Sequence, residues 1–350
     1  MSGMYKRDCY AVSEVIGILF VLIIATTAIS SITIWSNIRM SDQKSTIRVE
    51  NLLEQFNTFD GFLNEMVGEG VNSSRIFAVT ADEGQISITS YGTRFVFCLP
   101  HSTYNCTVSG FSLNDLDYSD NINFNFYLYN DSPTLNFSLY SLGNNTKLEY
   151  YLNSSPPTVS NNWYEYSVSF NHLINGAVRI DIYNETSGVF IAELFVIDVG
   201  SLTYETQSNS GNSQVIVENG GIVFGRPGSY YLINEPTVYN SDGALVLRIL
   251  QIQPGSEMGT NIGGGATYRF FTKIVKNDIL YLSDDMQYSN SSFKMQIFGD
   301  YADAWISYFT TRNNYFDQYD SSSFDAGTLH VNNTYFTLAY SIYTLDLRVI

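Results

Sequence analysis

Val15 to Ile34 reads VIGILFVLIIATTAISSITI, twenty residues without a charged side chain. At about 1.5 Å of rise per residue, a helix of that length crosses the roughly 30 Å hydrocarbon core of a bilayer. A cleaved secretory signal has an apolar region of only about 7–15 residues, followed by small residues and polar mature sequence. Here the helical pattern continues instead. Leu52, Phe56, Phe59, Leu63 and Met66 recur at spacings of 4, 3, 4 and 3, a heptad-like seam that runs up to Gly68 and Gly70. Residues 12–67 are therefore expected to form one rod on the order of 80 Å long. Its first half is apolar all round and its second half on one face, so it needs two partners. Lipid or other apolar helices suit the first half. The seam suits copies of the same helix or the chain's own head.

Beyond Gly70 the period changes from helical to alternating. Asn121 to Asn130 (NINFNFYLYN), Val178 to Asn184 (VRIDIYN) and Thr344 to Ile350 (TLDLRVI) alternate in the way half-buried strands do. Turn-rich stretches at 153–162, 207–214 and 261–265 separate further strand-like runs. Many short antiparallel strands imply a β-sandwich or jelly roll. One helix is expected among them. Tyr301, Trp305 and Tyr308 fall on one face at i, i+4 and i+7, an aromatic stripe suited to packing on a sheet. The expected fold class is a long N-terminal transmembrane helix and a large all-β head with one short helix near residues 300–310.

The 350 residues carry 34 Asp and Glu against 17 Lys and Arg, a formal net charge of −17. Such a field repels nucleic acid, which is not an expected partner. Charged residues make up 15% where about 25% is usual, and 27 Tyr and 23 Phe stand among many Asn, Ser and Thr. That surface is rich in hydroxyls and amides, as on many secreted β-proteins. Charge does not orient the span, because Lys6 and Arg7 before it face Arg39, Lys44 and Arg48 after it.

Lys6 and Arg7, then Ala11 to Gly17 (AVSEVIG) and the apolar block, resemble the class III signal peptide and helix start of archaeal type IV pilin-like proteins. The resemblance implies that a prepilin peptidase cuts between Ala11 and Val12. The hydrophobic helix would then pack with other pilin-like subunits. It extends into the body, where GSLTYE (Gly200 to Glu205), VENGGIVF (Val217 to Phe224), GALVLRIL (Gly243 to Leu250) and DYADAWISYF (Asp300 to Phe309) follow in the order of large pilin-like membrane proteins. The implied map has a leader at 1–11, a transmembrane and coiled-coil-like helix at 12–67, a β-rich head at 68–104 and 200–350, and an inserted β-sandwich at 105–199. Within the insertion, Asn161 to Phe170 and the run ending at Asp198 are similar to the last strands of carbohydrate-binding jelly rolls. That similarity implies a surface glycan as partner and matches Asp198 to an acidic position that sometimes ligates calcium.

On this reading Glu14, Leu52, Phe56, Phe59 and Leu63 serve helix assembly. The Glu14 carboxylate either meets the new α-amino group of a neighbouring chain or snorkels to the membrane surface. Two functions are expected from different classes. One is a minor, tip or adhesive subunit of a filament; the other is a monomeric ectodomain that binds surface glycan or envelope protein. Both place a single-pass anchor in the cell membrane with the C-terminal head outside. An uncleaved signal anchor is the alternative to processing.

Cys98 and Cys106 bracket LPHSTYN in what reads as a hairpin, so a cross-hairpin disulfide is expected, worth about 2–3 kcal/mol in an oxidising compartment. Cys9 lies in the leader. Nine N-x-[ST] sequons, at Asn72, Asn105, Asn130, Asn136, Asn144, Asn153, Asn184, Asn290 and Asn332, suit a glycosylated surface protein, and chance in so Asn- and Ser/Thr-rich a chain also supplies sequons. His101, His172 and His330 have no zinc or triad-like context, and NGGIVFGRPG (Asn219 to Gly228) reads as turns rather than a phosphate loop. Acid-rich loops at 114–120, 283–285 and 317–325 leave calcium open without EF-hand spacing. No enzymatic activity and no other cofactor are expected.

Overall fold

A computed structural model of the chain describes residues 5–81, 83–90, 92–100, 106–112, 122–130, 132–142, 146–153, 157–170, 177–206, 212–236, 239–241, 244–255, 261–263, 266–282, 294–312, 316–319, 328–331 and 335–349. Helix α1 runs from Tyr5 to Glu69. It starts before the expected Val12 because neither proline nor glycine interrupts the chain between Tyr5 and Ile16. It passes through Gly68 and stops at Gly70, whose φ of 89° lies in the left-handed region and whose N–H bonds the carbonyl of Met66 at 3.1 Å.

The strands follow in order: β1 Ser74–Ala81, β2 Gln85–Thr89, β3 Arg94–Pro100, β4 Cys106–Ser112, β5 Ile122–Tyr129, β6 Leu135–Ser141, β7 Lys147–Leu152, β8 Thr158–Ser160, β9 Trp163–Phe170, β10 Ala177–Asn184, β11 Phe190–Asp198 and β12 Ser201–Thr206. Then come β13 Ser213–Glu218, β14 Gly221–Arg226, β15 Ser229–Asn234, β16 Tyr239–Ser241, β17 Ala244–Pro254, β18 Asn261–Gly263, β19 Ala266–Leu282 and β20 Lys294–Phe298. Helix α2 spans Ala302–Arg312, and β21 Phe316–Tyr319, β22 Thr328–Val331 and β23 Tyr335–Val349 complete the chain. Among the described residues they form four sheets, in the orders β1-β19-β23-β17-β16, β15-β14-β13-β12-β2-β18, β21-β22-β20-β3-β11-β10-β6-β7 and β4-β5-β9-β8. The pairing of β17 with β23 is parallel, from Ala244 opposite Tyr335 to Pro254 opposite Leu345.

Side-chain parity stacks these elements into layers. Val215 and Val217 of β13 face the α1 seam, while Ile216 faces away towards α2. On β17, Leu250 and Ile252 face the seam, and Leu247 and Ile249 face α2. The eight-stranded sheet is likewise buried on both faces around β3, where Phe95 and Phe97 meet Trp305 and Phe309 of α2 and Val96 and Cys98 meet the four-stranded sheet. All seven residues of β3 are buried. The order through the molecule is therefore α1 seam, the five- and six-stranded sheets, α2, the eight-stranded sheet, and the four-stranded sheet. The aromatic stripe of α2 packs as expected, with Trp305 fully buried and edge-on to Phe95 at 5.6 Å.

Residues 106–198 form a two-sheet sandwich that shares a sheet with β3 and β20. β11 is hydrogen-bonded to β3, with Phe195 opposite Phe97, and sends Phe195 and Ile197 into the α2 core. The sandwich thus supplies a wall of the central core.

For the seam the expectation is corrected. Leu52, Phe56, Phe59, Leu63 and Met66 are at most 2% exposed, all against the chain's own head. Phe59 stacks on Phe77 at 5.0 Å and lies 6.2 Å from Phe270. Burying five such side chains is worth on the order of 10 kcal/mol, so the seam is taken and is not left for copies of the helix. Phe59→Ala should lower the unfolding free energy of the head by about 3–5 kcal/mol, measured by denaturant melts in detergent. Leu52→Asp with Phe56→Asp should leave no cooperative head transition, rather than a folded head that fails to assemble.

Candidate functional site

The surface that demands an occupant is the N-terminal part of α1. From Val15 to Ile34 its large apolar side chains stand exposed, from 46% at Ile23 to 68% at Val21, and none of the apolar window packs on the head. Exposed apolar area of that extent marks an interaction or membrane surface. Four of the span's five hydroxyls are compatible with lipid because they bond their own backbone. Thr26 Oγ1 donates to the Leu22 carbonyl (2.9 Å), Thr27 to Ile23 (2.8 Å), Ser31 to Thr27 (2.8 Å) and Thr33 to Ile29 (2.8 Å). At its head-proximal end the Arg39 guanidinium lies over the Trp35 ring at 5.2 Å, an aromatic and cationic pair of the kind found at membrane–water boundaries. The helix first enters the head at Val49, so the span and the head are separated by exposed helix. Ala11, Val12 and Glu14 lie on α1, and their side chains fall outside the described residues.

The second half of α1 is pinned by polar contacts as well as by the seam. Tyr343 donates its hydroxyl to the Leu63 carbonyl at 2.8 Å, and Asn234 Nδ2 donates to Asn57 Oδ1 at 2.9 Å and to Asp60 Oδ2 at 3.2 Å. Asp60 is 3% exposed and its Oδ1 has no partner. Burial pushes its carboxyl up to about 6, against the lowering effect of the hydrogen bond from Asn64.

The other residues singled out from sequence fare unequally. Cys98 and Cys106 do not pair across a hairpin, since β3 joins the eight-stranded sheet and β4 the four-stranded one. Their sulfurs nonetheless meet between the sheets, 3.6 Å apart, buried and as free thiols. Asp198 is not placed to hold calcium: its carboxylate is taken bidentately by Arg94, Nε to Oδ1 at 2.5 Å and Nη2 to Oδ2 at 2.7 Å, with both residues buried. Among the sequons, Asn72 and Asn130 are exposed, Asn136 and Asn184 half-buried, and Asn153 buried at 9%. Asn105, Asn144, Asn290 and Asn332 lie outside the described residues, as do His101, His172 and the acidic loops at 114–120 and 283–285. Among the described residues no three His, Cys, Asp or Glu side chains gather as a metal site.

On the outer side of the four-stranded sheet, Asn123 and Asn125 of β5 stand beside Ser167 and Ser169 of β9 and line a groove of about 210 Å³. Farther along the same strands Tyr129 and Trp163 lie ring to ring at 5.1 Å. Lys294 Nζ of β20, in the eight-stranded sheet, lies over the Trp163 ring at 5.6 Å.

Sequence reading missed Glu218, which lies inside VENGGIVF. It is fully buried and accepts from Thr93 Oγ1 (2.6 Å), Thr93 N–H (3.3 Å) and Trp305 Nε1 (2.5 Å). Burial raises its carboxyl to about 7, although those three donors pull the other way. Glu193 is raised to about 7 by burial and by the Asp181 carboxylate opposite it on β10. No local signal marks these acids, because their partners are far away in sequence. The segments Gly200 to Glu205, Val217 to Phe224, Gly243 to Leu250 and Asp300 to Phe309 form β12, the β13–β14 turn, β17 and α2, which line the two inner cores around Glu218. No family model matches the chain, and no curated protein and no solved structure matches it.

The raised carboxyls invert the usual acid sensitivity. The folded head holds these three protons more tightly than the unfolded chain, so the stability that each contributes is fully present below about pH 4 and is lost as pH rises through about 6 to 7. Asp60→Asn should therefore raise stability at pH 7.5 by on the order of 2 kcal/mol and change it little at pH 4, read from melts at the two pH values.

Proposed function

We propose that this chain is a cell-surface subunit, held in the membrane by the N-terminal part of α1 and assembled into a pilus-like filament when that same apolar helix exchanges lipid for neighbouring helices. The observation that carries the reading is the division of one continuous helix into a half clamped by the head and a half wholly exposed. Lipid and an apolar helix bundle are alternative solvents for the exposed half, so storage in the membrane and assembly use the same residues. Because the seam from Leu52 to Met66 serves the head, helix-to-helix assembly falls to residues from Glu14 to Ile34. The basic leader, cut between Ala11 and Val12 by a prepilin peptidase, belongs to the same reading. Outside the cell, Cys98 and Cys106 would close a bridge between the two sheets by exchange with a disulfide-bearing oxidant. The N-terminal peptide mass of protein recovered from sheared surface material tests the proposal. A peptide starting at Val12 in sedimenting polymer is the expected result; Met1 or Ser2 on a monomeric membrane species defeats it in favour of a plain anchor.

A second reading, an anchored ectodomain that holds surface glycan, is supported by the Asn, Ser and aromatic outer surface of the four-stranded sheet. It draws no support from Asp198, whose carboxylate is paired. Because the sandwich shares its sheet with β3 and β20, the test uses the full chain in detergent on a glycan array. Retention that Trp163→Ala abolishes is expected on this reading, and an array without any retained glycan ends it.

A further inference from the structure

A cavity of about 270 Å³ lies where the last turns of α1 meet the head, walled by Asn64 and Val67 of α1, Gly220 of the β13–β14 turn, Pro236, and Arg248 and Leu250 of β17. Gly220 keeps it clear: a Cβ there would stand 3.0 Å from Leu250 Cδ1 and 3.9 Å from Asn64 Oδ1, both wall atoms, and the φ of 70° disfavours any side chain. Among the described residues Arg248 donates through Nη1, to Asn277 Oδ1 at 3.2 Å and Ser341 Oγ at 3.4 Å, two neutral acceptors. Among the described residues no carboxylate pairs with it, in a chain with twice as many acids as bases. The other edge, Nε with Nη2, is the one by which Arg94 grips Asp198 in this same molecule. A half-buried guanidinium that lines a cavity and meets only neutral acceptors among the described residues can take a planar anion with two oxygens.

We infer that this cavity binds a small carboxylic acid, its carboxylate held side-on by Arg248 Nε and Nη2 and its short aliphatic body against Val67, Pro236 and Leu250. The charge of the ligand follows from the walls. No second cation lines the cavity, and the Asp60 carboxyl sits one helical turn from Asn64, so a single negative charge is compensated and a phosphate dianion is not. The size of the ligand follows from the volume, which suits a body of a few carbons.

The test is calorimetric titration of the full chain in detergent micelles with butyrate at constant ionic strength, with inorganic phosphate as the comparison. Saturable binding is expected for the unmodified chain. It should weaken by at least about tenfold in Arg248→Lys, which keeps the charge and loses the fork, and in Arg248→Gln. Val67→Phe, which fills the cavity and leaves the guanidinium in place, should abolish it. A near-UV spectrum of each variant checks folding, and Val67→Phe carries the test if the Arg248 variants do not fold. Absence of saturable butyrate binding, unchanged binding in folded Arg248 variants or in Val67→Phe, or tighter binding of phosphate than of butyrate would each overturn the assignment.

Discussion

Five side chains on one stripe of α1, buried against two sheets of the head, set the terms for everything else in this molecule. With Phe56, Phe59 and Met66 at 0–1% exposure, the helix cannot roll or slide without opening the core. The Tyr343 hydroxyl on the Leu63 carbonyl and the Asn234 amide on Asn57 and Asp60 fix its height as well as its face. The exposed span is thus rigidly continuous with the head, and its position in a membrane or a bundle determines where the head stands.

The same docking explains the unusual burial of the sheets. Once the seam covers one face of β13 and β17, the other face must find cover, and α2 with the eight-stranded sheet supplies it. That sheet in turn has a second face, closed by the four-stranded one. Each layer exists to bury the back of the previous one, and the sequence of layers ends at strands whose outer residues are Asn, Ser, Tyr and Glu. Two polar clusters in the interior are closely paired, Arg94 with Asp198 and Glu218 with Thr93 and Trp305, whereas Asp60 Oδ1 is buried without a partner. Such groups gain little net stability over apolar packing, but they tolerate few geometries. Glu218 accordingly ties the loop before β3, the β13–β14 turn and α2 into one register.

How much of this was legible in the residues depends on the range of the interaction. Helical and alternating periods are local properties of side-chain direction, so the apolar span, the seam, the strands such as Ile122–Tyr129 and Ala177–Asn184, and the α2 stripe could all be read in advance. The identity of the surface that covers each stripe is not local. The seam pattern of Leu52 to Met66 is the same whether a second helix or the chain's own sheets lie over it, and only the fold brings Phe77 and Phe270 to Phe59. For the same reason the hairpin reading of Cys98 and Cys106 failed while their proximity survived, and Asp198, an acid at a strand end in the sequence, proved to be the partner of Arg94, 104 positions away. Glu218, Asp60 and Arg248 carry no motif at all; their character comes from desolvation and from neighbours on distant strands. Composition and period decided that the chain is an apolar rod bearing a β head, because hydrophobic patterning acts residue by residue. Which half of the rod remains open, which acids are buried and which charges find partners were decided by long-range packing, because exposure and charge pairing are properties of the assembled layers.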